Sequence, residues 1–358
     1  MTPEALGWNS ELAHAWAGLA AHPPFAAAGD AAAAGDPAAG EGRTRAARVI
    51  ALHRGATVLH DTVREHTLAD HPGSAALGVA VGDWVVFDGA RITAVLPRRG
   101  AVTRKEAGRG IATQVLAANL DRVLIVTSAN QDLEPRRLDR MVAVAWEAGA
   151  QPVVVLSKSD LEPAAAEYAE ALAARLVGVP VVVVHTRDEA GVAALLPYLR
   201  PGETTMLLGT SGVGKSTLLN LLAGEDRQAV REVRAHDDRG QHTTTHRELF
   251  LLPGDRGLMI DVPGIRELAL ALVGEGLERA FPDIVALAAG CRWVDCSHSN
   301  EPACAVQAAI AAGTLDPERL ASLRVLLAEQ VQLERRESPR TRHEGRRKAR
   351  KRNLKARG

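Results

Sequence analysis

The sequence predicts an α/β protein: a doubly wound α/β domain, a small β-barrel ahead of it and a short helical unit behind it. Three observations carry this. After Ile111, apolar β-like runs alternate with helical stretches, the pattern of a parallel sheet covered on both faces. Between Arg48 and Ala101, short β-like runs are separated by tight-turn signals, the pattern of a barrel. All three cysteines fall between Cys291 and Cys304, in a stretch where the β signal has faded.

The elements follow in order. Leu6 to Leu19 has helical spacing, with Trp8, Leu12, Trp16 and Leu19 on nearby faces, and Ala26 to Gly42 is a low-complexity Ala/Gly/Asp linker. The runs Arg48–Leu52, Ala56–Leu59, Trp84–Phe87 and Ile92–Leu96 are separated by His71-Pro72-Gly73, Gly82-Asp83 and Asp88-Gly89. The sheet strands are expected at Val123–Thr127, Pro152–Leu156, Val181–Val184, Thr205–Leu208 and Leu258–Ile260. Helices are expected at Leu138–Ala148, Ala164–Leu176 and Leu315–Arg336. The expected division is a helix and linker over 1–45, the barrel over 46–110 and the α/β domain over 111–270. A helical metal-binding domain over 271–335 and a basic tail over 336–358 follow.

Charge and hydropathy bound the function. The 43 basic and 43 acidic residues cancel, yet Arg335 to Gly358 holds 12 basic and 2 acidic residues, leaving 31 and 41 elsewhere. A cationic tail on an acidic body fits a polyanionic partner, nucleic acid above all. No apolar run approaches the roughly 20 residues of a membrane span, and no secretory signal is evident. A cytoplasmic monomer without membrane contact is expected.

The segment Gly209-Thr210-Ser211-Gly212-Val213-Gly214-Lys215-Ser216, followed by Thr217, matches G-x-x-x-x-G-K-[ST] in full, between an expected strand and an expected helix over Ser216–Leu222. Glycines let the loop turn its N–H groups onto a phosphate. Lys215 adds a point charge between the β- and γ-phosphates, and the Ser216 hydroxyl is a ligand for Mg²⁺. Asp261-Val262-Pro263-Gly264 lies 45 residues after Ser216 at a strand end, where Asp261 can hold Mg²⁺ through water and Gly264 can sense the γ-phosphate. The strand Pro152–Leu156 runs into Ser157-Lys158-Ser159-Asp160. A carboxylate at Asp160 accepts from guanine N1 and N2 hydrogens, which adenine does not offer, and the Lys158 stem packs on the base. This motif precedes the phosphate loop by about 50 residues, the reverse of the ordinary order. A doubly wound sheet permits the inversion because its strand-end loops share one edge.

These motifs, in this order, resemble the circularly permuted GTPases of the ribosome small-subunit-dependent GTPase A family, over about residues 46 to 310. Gly82-Asp83-Trp84-Val85 and Arg104-Lys105 resemble that family's N-terminal OB barrel and its exit. The resemblance implies a circularly permuted P-loop GTPase with GTP/GDP and Mg²⁺ as ligands, stimulated by the small ribosomal subunit and binding its rRNA in late maturation. Gly240-Gln241-His242-Thr243-Thr244-Thr245 resembles its switch I segment: Thr243 or Thr244 would complete the Mg²⁺ shell, and His242 would orient the attacking water. Ile265 stands where many GTPases place a glutamine. Two departures are Ser157 for asparagine and His185-Thr186 where a Ser-Ala-like pair would touch guanine.

Cys291, Cys296, His298 and Cys304 offer three thiolates and an imidazole, a full set for one structural Zn²⁺. For RNA, the basic candidates are Arg98, Arg99, Arg104, Lys105 and Arg109 at the barrel exit. In the tail they are Arg346, Arg347, Lys348, Arg350, Lys351 and Arg352. Two competing classes are a P-loop ATPase or kinase acting on a small molecule, and an RNA-binding module with weak nucleotide hydrolysis. The Lys158–Asp160 pair argues against the first, and the complete set of Lys215, Ser216 and Asp261 against the second.

Overall fold

The structure, a computed structural model, describes residues 2–20, 44–70, 76–105, 113–129, 133–224, 247–262 and 275–337. Its strands are β1 (Arg45–His53), β2 (Ala56–His60), β3 (Glu65–Ala69), β4 (Trp84–Phe87), β5 (Ile92–Val95), β6 (Ala101–Lys105) and β7 (Thr113–Ala118). They continue with β8 (Arg122–Ser128), β9 (Gln151–Ser157), β10 (Val181–Val183), β11 (Thr204–Leu208), β12 (Arg247–Leu251) and β13 (Leu258–Asp261). The helices are α1 (Ser10–Ala20), α2 (Pro135–Glu147), α3 (Ala165–Arg175), α4 (Lys215–Ala223), α5 (Glu275–Ala280), α6 (Pro282–Ala288), α7 (Ala305–Ala311) and α8 (Pro317–Glu337).

The centre is the parallel run β10-β9-β8-β11-β13. Strands β8, β9 and β10 are rich in Val, Ile and Leu, and β8 and β11 are buried along their whole length, as helices on both faces require. The sheet as a whole is mixed rather than purely parallel. β12 runs antiparallel to β13, and β1 runs antiparallel to β12 through Ala51↔Glu248 and Leu52↔Arg247. One sheet therefore passes from the α/β domain into the N-terminal strands.

Those strands are ordered β3-β2-β1, with β4 on the first half of β1 and β5 on β4. A register shift between Val49 and Ala51 bends β1, so one edge serves β4 first and β12 afterwards. Ala47, Val49, Leu59, Val85, Phe87 and Ile92 close a separate small core inside this unit. Among the described residues β3 and β5 are not paired with each other. The hairpin β6-β7 leads from this unit into β8.

The expected helix from Leu6 is broken. Glu4–Leu6 is a 3-10 turn, Gly7 turns the chain at φ +82°, and α1 starts at Ser10 with the Asn9 side chain accepting from Leu12 N–H at 3.0 Å. Leu6, Leu12 and Trp16 are buried, and Trp8 stands edge-on to Trp84 at 4.7 Å. This segment is tied down by Arg48, which is buried. Its guanidinium donates to the carbonyls of Leu6, Gly82 and Asn119 and to the Thr204 hydroxyl, and burial lowers its pKa to about 10. One side chain thus joins the N-terminal turn, the β-unit and the central sheet.

Behind the sheet, α5 and α8 pack on α2, and α6 joins α5 to α7. Leu138, Met141, Val142 and Ala145 recur at helical spacing along the buried stripe of α2. Beside that stripe lies an ionic knot. Asp139 is fully buried and accepts from Arg175 of α3 at 2.7 Å and from Arg319 of α8 at 2.6 Å. Arg319 also bonds Asp283 and the Ala280 carbonyl and lies over the Phe281 ring at 4.3 Å. Farther out, Arg136 meets Glu318, Arg140 meets Glu329 at 2.5 Å, and Arg279 stacks on Trp146 at 3.8 Å.

Candidate functional site

The phosphate-loop candidate sits where the parallel strands end. β11 finishes at Leu208 and the chain turns through Gly209 to Gly214 into α4. A side chain at Gly209 is excluded, because its Cβ would lie 2.2 Å from the Val126 carbonyl of β8. Gly214 precedes α4 in the left-handed region at φ +96°. Val213 points inward and is buried among Val126, Leu218 and Leu222. Ser211 and Gly212 at the tip, and Ser216 and Thr217 on the first turn of α4, are exposed. The Lys215 ammonium is folded back to donate to the Thr210 carbonyl. An exposed helix start behind a glycine loop, with a lysine at its mouth, is a ready anion site.

Ser157, Lys158, Ser159 and Asp160 leave β9 beside this loop. The Ser157 hydroxyl is buried between two carbonyls, Val213 at 2.6 Å and Thr127 at 3.0 Å. The hydroxyl thus does not face a ligand; it ties the loop after β9 to the loop after β11 and to β8. Lys158 is held at φ +57°, an unusual conformation for a side chain of that size, which turns the chain into the 3-10 turn Ser159–Leu161. Ser159 anchors that turn, its N–H and hydroxyl both donating to the Val184 carbonyl. Asp160 pairs with Arg187 at 2.7 Å. Sequence reasoning missed Arg187, because nothing local marks an arginine 27 residues away as a partner.

Asp261 is the last residue of β13, paired in register with Glu248 of β12 and half-buried. His242, Thr243, Thr244, Gly264 and Ile265 lie outside the described residues.

The second site is the cysteine cluster. Cys291 follows α6, Cys304 precedes α7, and the ligand atoms of Cys291, Cys296, His298 and Cys304 all lie within 4.8 Å of one another. Cys291 Sγ is 3.9 Å from Cys304 Sγ, and His298 Nδ1 is 3.6 and 3.5 Å from these two sulfurs. Around a zinc ion with bonds of about 2.3 Å to sulfur and 2.0 Å to nitrogen, a tetrahedron spaces its corners about 3.5–3.8 Å apart. The set is therefore compatible with tetrahedral zinc. Desolvation, reinforced by the thiols of Cys304 and Cys291, pushes the Cys296 thiol up to about 11. Crowded thiols resist joint ionisation unless a cation joins them.

The supporting residues here were not legible. Glu301 accepts from the Ser297 hydroxyl and from the N–H groups of Ser297 and Ser299, and these bonds, the hydroxyl first, hold its carboxyl down at about 2. The His298 carbonyl between those residues receives Gln307 and Arg324. Together they fix His298 at φ +59°. Between Cys291 and Cys296 the loop exposes Trp293 and Val294, with the Arg292 guanidinium 5.1 Å from the indole.

Some basic residues expected to face RNA are engaged within the fold. Arg98 clasps the buried Asp83 through two bonds of 2.7 Å, Arg99 pairs with Asp121, and Arg104 bonds Gln114. The Lys105 side chain, Arg109 and the tail from 338 lie outside the described residues.

Comparison with known proteins agrees with this arrangement. The RsgA GTPase family model matches residues 95–271. A protein of Xanthomonas axonopodis pv. citri named small ribosomal subunit biogenesis GTPase RsgA is 41% identical over 331 residues, 90% of this chain and 86% of that protein. A protein of the same name from Opitutus terrae is 43% identical over 314 residues, 82% of this chain and 85% of that protein. The crystal structure of YjeQ from Thermotoga maritima superposes with a TM-score of 0.60 at 23% identity, covering 80% of this chain and 99% of that one. YloQ, described as a circularly permuted GTPase, gives 0.59 at 23% identity, covering 83% and 98%. With its base-loop candidate ahead of its phosphate loop and both at one sheet edge, the chain belongs to the RsgA GTPase family.

Proposed function

We propose that the protein hydrolyses GTP to GDP and phosphate under the control of the small ribosomal subunit, and acts in that subunit's maturation through its rRNA. The observation that carries the nucleotide half is the Ser157–Val213 hydrogen bond of 2.6 Å. It couples the loop bearing Lys158 and Asp160 to the phosphate loop, although the two are in inverted order along the chain. The curated relatives, named for small ribosomal subunit biogenesis, support the ribosomal half.

In this reading Asp160 accepts from the guanine N1 and N2 hydrogens while the Lys158 stem lies along the base. The N–H groups of Gly209 to Thr217 surround the phosphates, and Lys215 leaves the Thr210 carbonyl to meet them. Ser216, Asp261 and Thr243 or Thr244 would hold magnesium, which would supply neutralising charge for the phosphates. His242 orients the water, and Gly264 offers its N–H to the γ-phosphate. Cys291, Cys296, His298 and Cys304 would hold one structural zinc and so stiffen the loop that carries Trp293. An exposed indole with an arginine against it is suited to an unstacked RNA base. The divisions at about residues 46, 111, 271 and 336 complete the reading, with an OB-type barrel first and a basic rRNA-contacting tail last.

The test is phosphate release from GTP and ATP, each with and without purified small subunits. Slow GTP turnover that rises sharply with subunits is expected. Lys215→Ala removes the charge on the phosphates and lowers the stimulated rate by on the order of 100-fold or more. Equal use of ATP, or indifference to the subunit, overturns the proposal.

A further inference from the structure

We infer that Arg187 is a specificity-determining positioning residue: it sets the Asp160 carboxylate in the orientation that reads guanine. The inference rests on the guanine reading above and deepens it.

The two loops meet at fixed points. Ser159 fastens the base loop to the Val184 carbonyl with its N–H at 3.3 Å and its hydroxyl at 3.0 Å. One residue later His185 N–H bonds the Gly191 carbonyl at 3.2 Å, closing the loop that carries Arg187. From this base Arg187 reaches back, its Nε 2.7 Å from Asp160 Oδ2. The carboxylate side chain is 16% exposed and the arginine 65%, so the guanidinium approaches from the solvent side.

A carboxylate on a short side chain turns freely about its last bond, since that torsion has broad wells. Guanine offers two parallel N–H donors, so it binds well only to a carboxylate whose plane is already set. A carboxylate has about four lone-pair sites. The Arg187 Nε contact takes one on Oδ2 and leaves room for both base donors. The neighbouring positions do not do this work. Ser157 spends its hydroxyl between Val213 and Thr127, and Ser159 spends its own on Val184. Among the described residues, the ion pair on Asp160 comes from Arg187.

The readout is base discrimination rather than overall affinity. GDP, IDP and ADP are titrated calorimetrically in magnesium buffer against the full chain, Arg187→Ala and Arg187→Lys. IDP lacks the N2 amino group, so the GDP:IDP ratio reports the second bond to the carboxylate. Arg187→Ala is expected to bind GDP about 10-fold more weakly and to lose most of the GDP:IDP ratio, as for a charge-assisted bond. ADP binding is unchanged, and Arg187→Lys recovers part of the ratio. An unaltered ratio in Arg187→Ala, or tighter GDP binding there, overturns the inference while the guanine reading stands. A parent chain that binds ADP as well as GDP overturns both together. Equal melting temperatures of the variants show that the fold is kept.

Discussion

Asp139→Ala is expected to destabilise the protein by about 3–5 kcal/mol, the usual cost of removing one member of a buried ionic group. Asp139 is 0% exposed and stands between Arg175 and Arg319, the latter 1% exposed. Its removal leaves two guanidinium groups facing across the gap with no anion between them. Arg175 retains Asp316, and Arg319 retains Asp283 and the Ala280 carbonyl, so the loss stays below that of stripping the knot entirely. Asp139→Asn keeps acceptor capacity without charge and should fall between the two. The measurement is thermal unfolding followed by tryptophan fluorescence, since Arg279 stacks on Trp146 at the same interface. A chain of this size shifts by roughly 2 °C per kcal/mol, so a drop of about 6–10 °C is expected, and one under about 3 °C would overturn the prediction.

The second large effect is expected on metal removal. The chain should carry about one zinc, released by a chelator in denaturant and absent from Cys304→Ser. Cys304 is both a ligand candidate and the residue that caps α7, its sulfur accepting from Gln307 N–H at 3.4 Å. Loss of the ion leaves crowded thiols where a closed site stood, and α7 loses the anchor for its first turn. A melting temperature lower by about 10 °C or more is expected, with residues from 275 onward first to become protease-sensitive. GDP affinity should hardly move, because Ser157, Asp160 and the Gly209–Thr217 loop are built on the sheet. A stable, metal-free chain with the same protease pattern would sink the assignment.

What the sequence disclosed follows from which constraints are local. The phosphate-loop candidate stood out because the motif carries glycine at close approaches such as Gly209 against Val126, and phosphate and magnesium chemistry calls for residues such as Lys215 and Ser216. Cys291 to Cys304 was readable because few residue types bind zinc. Strands β8 and β9 announced themselves as continuous apolar runs. Strand β3 did not, since Glu65-His66-Thr67-Leu68-Ala69 buries only Leu68, and β12 did not, since only Leu249 is buried. Contacts between distant residues left no local mark: Asp139 and Arg319 are 180 residues apart, and Arg187 lies in a different loop from Asp160. Ser157 stood in the sequence as a departure from the family's asparagine. Which backbone its hydroxyl bonds, the Val213 carbonyl 56 residues away, only the fold reveals.

The pairing of β1 with β12 bears on how this protein can be cut. The family match begins at residue 95, so a fragment of residues 95–271 holds both nucleotide loops and looks self-sufficient. It lacks β1, and its β12 is left with bare N–H and C=O groups on the side where Ala51 and Leu52 had been. It also loses Arg48, whose guanidinium had satisfied Asn119 and Thr204. An uncovered strand edge recruits further strands, so such a piece tends toward self-association. The N-terminal strands thus act as the edge-guard of the domain that follows.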